Sequence, residues 1–229
     1  MNSFTLQKHT FGDYLGIVGD TAHPILAELR KRIDVDEDMP RLLAACAIRA
    51  GDVVVDVGAF IGDTAVPALR LGASVIGFEP FLDAYAASLY NTREFHPRFQ
   101  GHNLPAGDGG SVKLVYECPG PNFGMRRVTR AMEGSPGSIH TYQLDKLVFQ
   151  TEKVRLLKLD CEGWEIPTML GARNLIERDR PFLYVEMYEG GLQQAGYTRA
   201  DLSKCINDLG YSATMWGEEP RFDWFCVPR

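Results

Sequence analysis

Apolar positions in this chain come in two rhythms. Short runs rich in β-branched residues, near 53–57, 74–79, 98–103, 154–160 and 182–187, read as strands. The stretches between and after them, near 63–71, 82–91, 141–149 and 164–178, read as helices. The last of these stops at Arg180, because a residue that precedes proline is disfavoured in helix. Strand and helix in strict alternation predict a mostly parallel sheet with helices on both faces. A final helix from Arg199 to Leu209, closed by Gly210, leads to strands at 211–216 and 222–228 joined by Gly217-Glu-Glu-Pro220. These two add an antiparallel hairpin at the sheet edge, for seven strands in all.

Two stretches break the rhythm. Residues 1–50 form a lead-in: a strand over 11–18, a helix over 24–32 that begins at Pro24, and a second helix from Asp38 to Arg49. The expected division is therefore a lead-in over 1–50, which either covers a bound ligand or only packs, and a main domain over 51–229. The span 107–140 is irregular, with an extra strand at Ser111–Glu117, a Pro/Gly-rich Cys118–Gly124, and Arg126, Arg127 and Arg130. Long loops of this kind tend to bind ligands, so it is read as an acceptor-binding loop. Its arginines suit either an acidic acceptor or a solvated face.

Composition narrows the partners. The 229 residues are 45% hydrophobic, enough for one large α/β core. A net charge of −6 without basic runs argues against nucleic acid. The N-terminus lacks a signal peptide's apolar core and no apolar run reaches membrane-spanning length, so a soluble protein without a membrane partner is expected. Cysteines 46, 118, 161, 205 and 226 are scattered and form no CxxC pair. They read as free thiols in a reducing compartment, the cytoplasm.

The chemistry sits where the first strand ends. Val53–Val57 runs into Asp56-Val-Gly58-Ala-Phe-Ile-Gly62-Asp-Thr64, and the second strand ends on Glu79. Strand, glycine turn, helix, strand and acid make the first half of a Rossmann-like nucleotide site, with the acid as ligand for two ribose hydroxyls. A dinucleotide fold lays a pyrophosphate on a Gly-x-Gly-x-x-Gly turn. Here Phe60 replaces the middle glycine, and Asp56 would repel a pyrophosphate. A cofactor with an ammonium and a sulfonium suits that carboxylate, and S-adenosylmethionine has both. The candidate cofactor contacts are Asp56, Gly58, Ala59, Phe60, Ile61, Gly62, Thr64, Glu79, Pro80, Phe81 and Asp160. A nicotinamide-dependent oxidoreductase is the alternative that Asp56 and Phe60 oppose.

Three further segments, Val154-Arg-Leu-Leu-Lys-Leu-Asp-Cys-Glu-Gly-Trp-Glu165, Met169-Leu-Gly-Ala172 and Arg180-Pro-Phe-Leu-Tyr-Val-Glu186, complete a pattern. With the glycine turn they resemble the FkbM family of S-adenosylmethionine-dependent methyltransferases, from about Gly51 to Tyr188 and including Leu144-Asp-Lys-Leu147. The resemblance implies a class I methyltransferase that acts on hydroxyl oxygens of sugars or natural products. The chain departs at Phe60, where Asn is usual, and at Cys161, where Val is common; neither change removes a charge that the cofactor needs.

Asp160 and Glu186 end the fourth and fifth strands, at the edge where open α/β sheets bind ligands, and Glu162 follows in the turn. These three are the catalytic candidates, able to orient an acceptor hydroxyl or take its proton. The same carboxylates are hard oxygen ligands that could hold Mg²⁺, a secondary option for which no ligand is assigned. Glu165 reads as a helix N-terminal charge, Lys158 as a neutraliser of Asp160, and Trp164 as packing. His102 and His140 are lesser candidates for a base. Replacing Glu79 by Ala is expected to weaken cofactor binding ~10–100-fold with the fold intact. The expected acceptor is a small molecule or glycan; a cofactor-binding module without catalysis is the other reading.

Overall fold

A computed structural model describes residues 5–11, 14–18, 38–116, 126–147, 153–218 and 221–229. The expected helix over 24–32 and the Cys118–Gly124 segment lie outside the described residues. In the lead-in, β1 (Thr5–Phe11) and β2 (Tyr14–Val18) pair antiparallel as a hairpin where a single strand was expected. Helix α1 (Asp38–Ala45) is shorter than its predicted span.

The main sheet follows the predicted alternation. In chain order come β3 (Val53–Val57), α2 (Ala65–Arg70), β4 (Ser74–Phe78), α3 (Leu82–Thr92) and β5 (Phe99–His102). The inserted span holds β6 (Ser111–Val115), β7 (Arg127–Arg130) and β8 (Ile139–His140), followed by α4 (Leu144–Leu147). Then come β9 (Val154–Leu159), α5 (Glu165–Gly171), α6 (Arg173–Asp179), β10 (Phe182–Val185), α7 (Glu189–Gln194), α8 (Arg199–Asp208), β11 (Tyr211–Glu218) and β12 (Arg221–Pro228). Seven strands pair in the order β11-β12-β10-β9-β3-β4-β5. The five from β10 to β5 are parallel, and β12 pairs antiparallel with both β10 and β11. This is the predicted α/β architecture.

Period-two alternation sorts the strands between two cores. Val53, Val55 and Val57 join Ile76, Phe78, Leu157, Leu159, Leu183 and Val185 under α5, α6 and α8. Val54, Val75, Leu156 and Tyr184 face the other side, against Leu42 and Leu43 of α1 and Ala68 and Leu69 of α2. Strand registry puts Asp56 directly opposite Lys158, and Lys158 opposite Tyr184. One polar row thus crosses three strands on an otherwise apolar face.

Two departures from the pattern have physical causes. The helix expected over 164–178 is broken at Ala172 (φ −113°, ψ 12°). Asp145, at the start of α4, accepts the N–H groups of Asn174 and Leu175 at 3.1 and 2.9 Å, so a side chain distant in sequence caps a new helix there. The irregular span is an antiparallel sheet of order β7-β6-β8, tied to the main body by a bridge between Ala106 and Tyr142.

Candidate active site

The turn after β3 is built by close approach. Gly58 has φ +81°, and a Cβ there would lie 1.8 Å from the carbonyl oxygen of Asp160. Only glycine lets the turn pass against the end of β9. The N–H groups of Gly58 and Ala59 both donate to the Phe78 carbonyl, that of Phe60 to Glu79, and that of Gly62 to the Ala59 carbonyl. These donors are spent inside the protein, whereas a pyrophosphate cradle needs them aimed at the ligand. Ala59, Ile61 and Thr64 are buried behind the turn. Phe60 sits at φ +45°, a left-handed conformation unusual for a bulky side chain.

Glu79 closes one end of the cleft. Its Oε1 accepts the Phe81 N–H at 2.9 Å and its Oε2 the Phe60 N–H at 3.0 Å. Burial pushes its carboxyl up to about 7, against the pull of both N–H groups and Arg126. Each carboxylate oxygen has two acceptor directions, so these two N–H groups use half of them. The same bonds revise the expectation that Glu79→Ala spares the fold. Alanine would orphan two N–H groups of the site, at about 1–3 kcal/mol each if both stay dry.

The other end is acidic. Asp56 is fully buried, and neither of its oxygens has a hydrogen-bond partner; Lys158 Nζ lies 3.3 Å from Oδ1 and 3.0 Å from Asp160 Oδ2. Burial raises the Asp56 carboxyl to about 6, and Lys158 opposes this. Burial pulls the Lys158 ammonium down, but Asp160 and Asp56 outweigh it and hold the group charged. Lys158 is thus shared between two acids rather than neutralising one.

Past β9 the chain turns through Glu162 (φ +56°) and Gly163 (φ +101°), packed so tightly on Gly191 that a Gly163 Cβ would lie 2.2 Å from its carbonyl carbon. The fully buried Glu165 holds this turn from below, its Oε1 accepting the N–H groups of Cys161 and Gly163, both at 3.1 Å. Burial lifts its carboxyl to about 7. Glu186 Oε2 accepts the Glu162 N–H at 3.2 Å. Carboxylate oxygens of Asp160, Glu162 and Glu186 converge within 4.8 Å of one another, close enough to share one cation. Burial, then Asp160, Glu162 and Glu165, push the Glu186 carboxyl well above the ordinary carboxylate range.

These ends bound a cleft of about 250 Å³ lined by Gly58, Phe60, Glu79, Pro80, Phe81, Asp160, Glu162 and Glu186, among others. The inserted sheet supplies part of the wall through Arg126, Arg127 and Val128. Arg126 pairs with Asp83 at 2.7 Å and lies 4.5 Å over the Phe81 ring; Arg130 pairs with Asp108 and covers the Trp164 ring at 4.7 Å. Two of the three arginines are therefore ties within the protein. Trp164 is buried as expected, yet also lines the cleft. His102 stacks on Phe78 and His140 is exposed; neither is among the lining residues.

Asp223 was missed by sequence reasoning. It reaches the cleft from β12, where it accepts the Tyr184 O–H at 2.5 Å and the Met187 N–H at 3.1 Å. Its place depends on the antiparallel pairing of β12 with β10, and no motif around Asp223 signals it.

Sheet order, terminal hairpin and a cleft at the carboxyl ends of β3, β4, β9 and β10 define the class I S-adenosylmethionine-dependent methyltransferase fold. The methyltransferase FkbM domain family matches residues 56–213, and the chain belongs to that family. Among solved structures, a methyltransferase FkbM from Methylobacillus flagellatus aligns at 15% identity and TM-score 0.54, over 90% of this chain and 62% of that one. The chain thus spans less than two thirds of that relative's length. A TehB-like S-adenosylmethionine-dependent methyltransferase from Corynebacterium glutamicum aligns at 11% identity and TM-score 0.51, over 92% of this chain and 100% of that one. Magnesium protoporphyrin IX methyltransferase from Synechocystis, solved with bound S-adenosylmethionine, aligns at 14% identity and TM-score 0.50, over 92% and 86%. No curated protein matches the sequence. Among the described residues no helix is long and apolar enough to cross a membrane.

Proposed function

We propose that this chain binds S-adenosylmethionine and transfers its methyl group to a hydroxyl of a small molecule or glycan. The observation that carries the reading is the charge layout of the cleft. One end offers Glu79 to a diol, the other brings Asp160, Glu162 and Glu186 close enough to hold a cation, and the N–H groups of Gly58, Ala59, Phe60 and Gly62 in the turn are already used. A nucleoside bearing an ammonium and a sulfonium fits this layout, and a pyrophosphate does not. Fully buried Asp56 shares Lys158 with Asp160, so at this end the carboxyl groups outnumber the cation beneath them.

When bound, the cofactor supplies a methyl group made electrophilic by its sulfonium. The protein's part is orientation and the proton. Glu79 would hold the ribose hydroxyls, and Asp160, steadied by Lys158, would hold the methionyl ammonium. Glu186 has Oε2 fixed by the Glu162 N–H, and its Oε1 would take the proton that an acceptor hydroxyl gives up on methylation. Its raised affinity for a proton suits a base, and a cation bound among the acids would lower that affinity.

Calorimetry with S-adenosylhomocysteine tests the cofactor half. Micromolar binding by the wild type is expected, weakened about 10–100-fold in Glu79→Gln, which keeps an acceptor for one of the two N–H groups. Wild-type protein that binds reduced nicotinamide cofactor and not S-adenosylhomocysteine would refute the proposal. Adding EDTA or Mg²⁺ to the same titration separates an acid–base role of the acids from metal binding.

A further inference from the structure

Phe60 is the one residue of the turn whose backbone and side chain both go against its position. It occupies the place of the middle glycine in a glycine-rich turn, at φ +45°, where bulky residues are outliers. The Glu79 carboxylate at 3.0 Å from its N–H holds it there. Strain that the surroundings hold in place, inside a cleft, points to use by a ligand.

The other aromatic residues of the cleft have ring partners. Phe78 stacks on His102 at 4.9 Å, Phe81 lies under Arg126 and against Tyr116, and Trp164 lies under Arg130. Among the described residues the Phe60 ring has no aromatic or cationic partner, and Phe60 lines the cleft. Its place along the turn is also informative. Gly58, two residues earlier, rests on the Asp160 carbonyl, whereas the Phe60 N–H meets Glu79. Phe60 therefore lines the cleft beside Glu79, two residues past the glycine that packs on the end of β9. In S-adenosylmethionine the sulfur joins the ribose to the methionyl chain, so a cofactor held at both ends carries its sulfonium past Phe60.

We propose that Phe60 sets this chain's preference between the cationic cofactor and its neutral product, by presenting its ring as the wall against which the sulfonium rests. The proposal deepens the methyltransferase reading and rests on it. A ring quadrupole attracts a cation and has no such attraction for a thioether. Product would then leave more readily than substrate.

The test needs no acceptor. Dissociation constants for S-adenosylmethionine and S-adenosylhomocysteine are measured by calorimetry on the wild type, Phe60→Leu and Phe60→Asn. Leucine keeps an apolar side chain and the same backbone demand but has no quadrupole; asparagine tolerates the left-handed conformation and guards against a folding failure. The preference for the sulfonium form over the thioether is expected to fall about 2–30-fold in both variants. Phe60→Asn should also melt at or above the wild-type temperature. An unchanged preference in both variants, with wild-type binding intact, overturns the role of Phe60 alone. A wild type that binds neither ligand overturns the methyltransferase reading and the proposal with it.

Discussion

Gly58→Ala adds one methyl group where the structure has no room for it. The added Cβ would lie 1.8 Å from the Asp160 carbonyl oxygen and 2.8 Å from its carbon, at φ +81°. The left-handed backbone costs an L-residue about 1–2 kcal/mol. The overlap is with backbone that is itself fixed, since Asp160 N–H donates to the Val57 carbonyl at 3.0 Å. Overpacking of this kind adds about 1–3 kcal/mol. The expected total of about 2–5 kcal/mol corresponds to a drop of about 4–20 °C in melting temperature for a domain of this size. Gly51→Ala is the internal control, with φ +89° and nothing within 4 Å of the added Cβ. It should lose only the backbone part, about 2–8 °C. Circular dichroism melts of the three proteins give the steric part by difference. Equal destabilisation by both substitutions would refute the argument that Gly58 is there for the approach to Asp160. Calorimetry should show a second effect in Gly58→Ala alone, because the shifted carbonyl carries Asp160 with it: weaker S-adenosylhomocysteine binding.

Other consequences follow from the buried charges. Lys158→Met strands Asp56, fully buried, without its cation, at an expected cost of about 3–5 kcal/mol at pH 8. The cost should shrink at pH 5.5, below the Asp56 value of about 6, and urea melts that show a pH-independent penalty would contradict this. In the ligand-free protein the carboxyls of Asp56, Glu79 and Glu165 are raised to about 6, 7 and 7. Between their ordinary values near 4 and these, the folded state binds protons that the unfolded state does not, so stability falls as pH rises through that window. Urea denaturation should accordingly give a lower unfolding free energy at pH 8 than at pH 6; the reverse order would show that these acids are not buried as described. Asp108 and Asp179, lowered by their arginine partners, act in the opposite sense, but only in the more acidic range below their ordinary value.

Much of this protein is legible in one dimension. β-Branched runs and glycine punctuation mark the parallel core and the terminal hairpin, and Glu79, Asp160 and Glu186 stand where three of its parallel strands end. They are legible because strand alternation and turn chemistry are local, and because an acid that ends a parallel strand must arrive at the ligand-binding edge. The break at Ala172 was not legible, since its cap comes from Asp145 across a loop. Nor was the ordered sheet within 107–140, whose pairing joins Val112 to Arg130 and Ser111 to His140.

The roles of the site residues divide along the same line. Residue type and spacing determined that an anionic cleft would form and which family the chain resembles. Only the tertiary structure decided that Gly58 serves the Asp160 carbonyl, that Glu79 ties the Phe60 and Phe81 N–H groups together, and that Lys158 is shared between Asp56 and Asp160. It also brought in Asp223, from a strand that enters the sheet last and runs against its neighbours. Registry between strands far apart in sequence sets these contacts, and a two-residue period within one strand carries no information about which residue of another it will face.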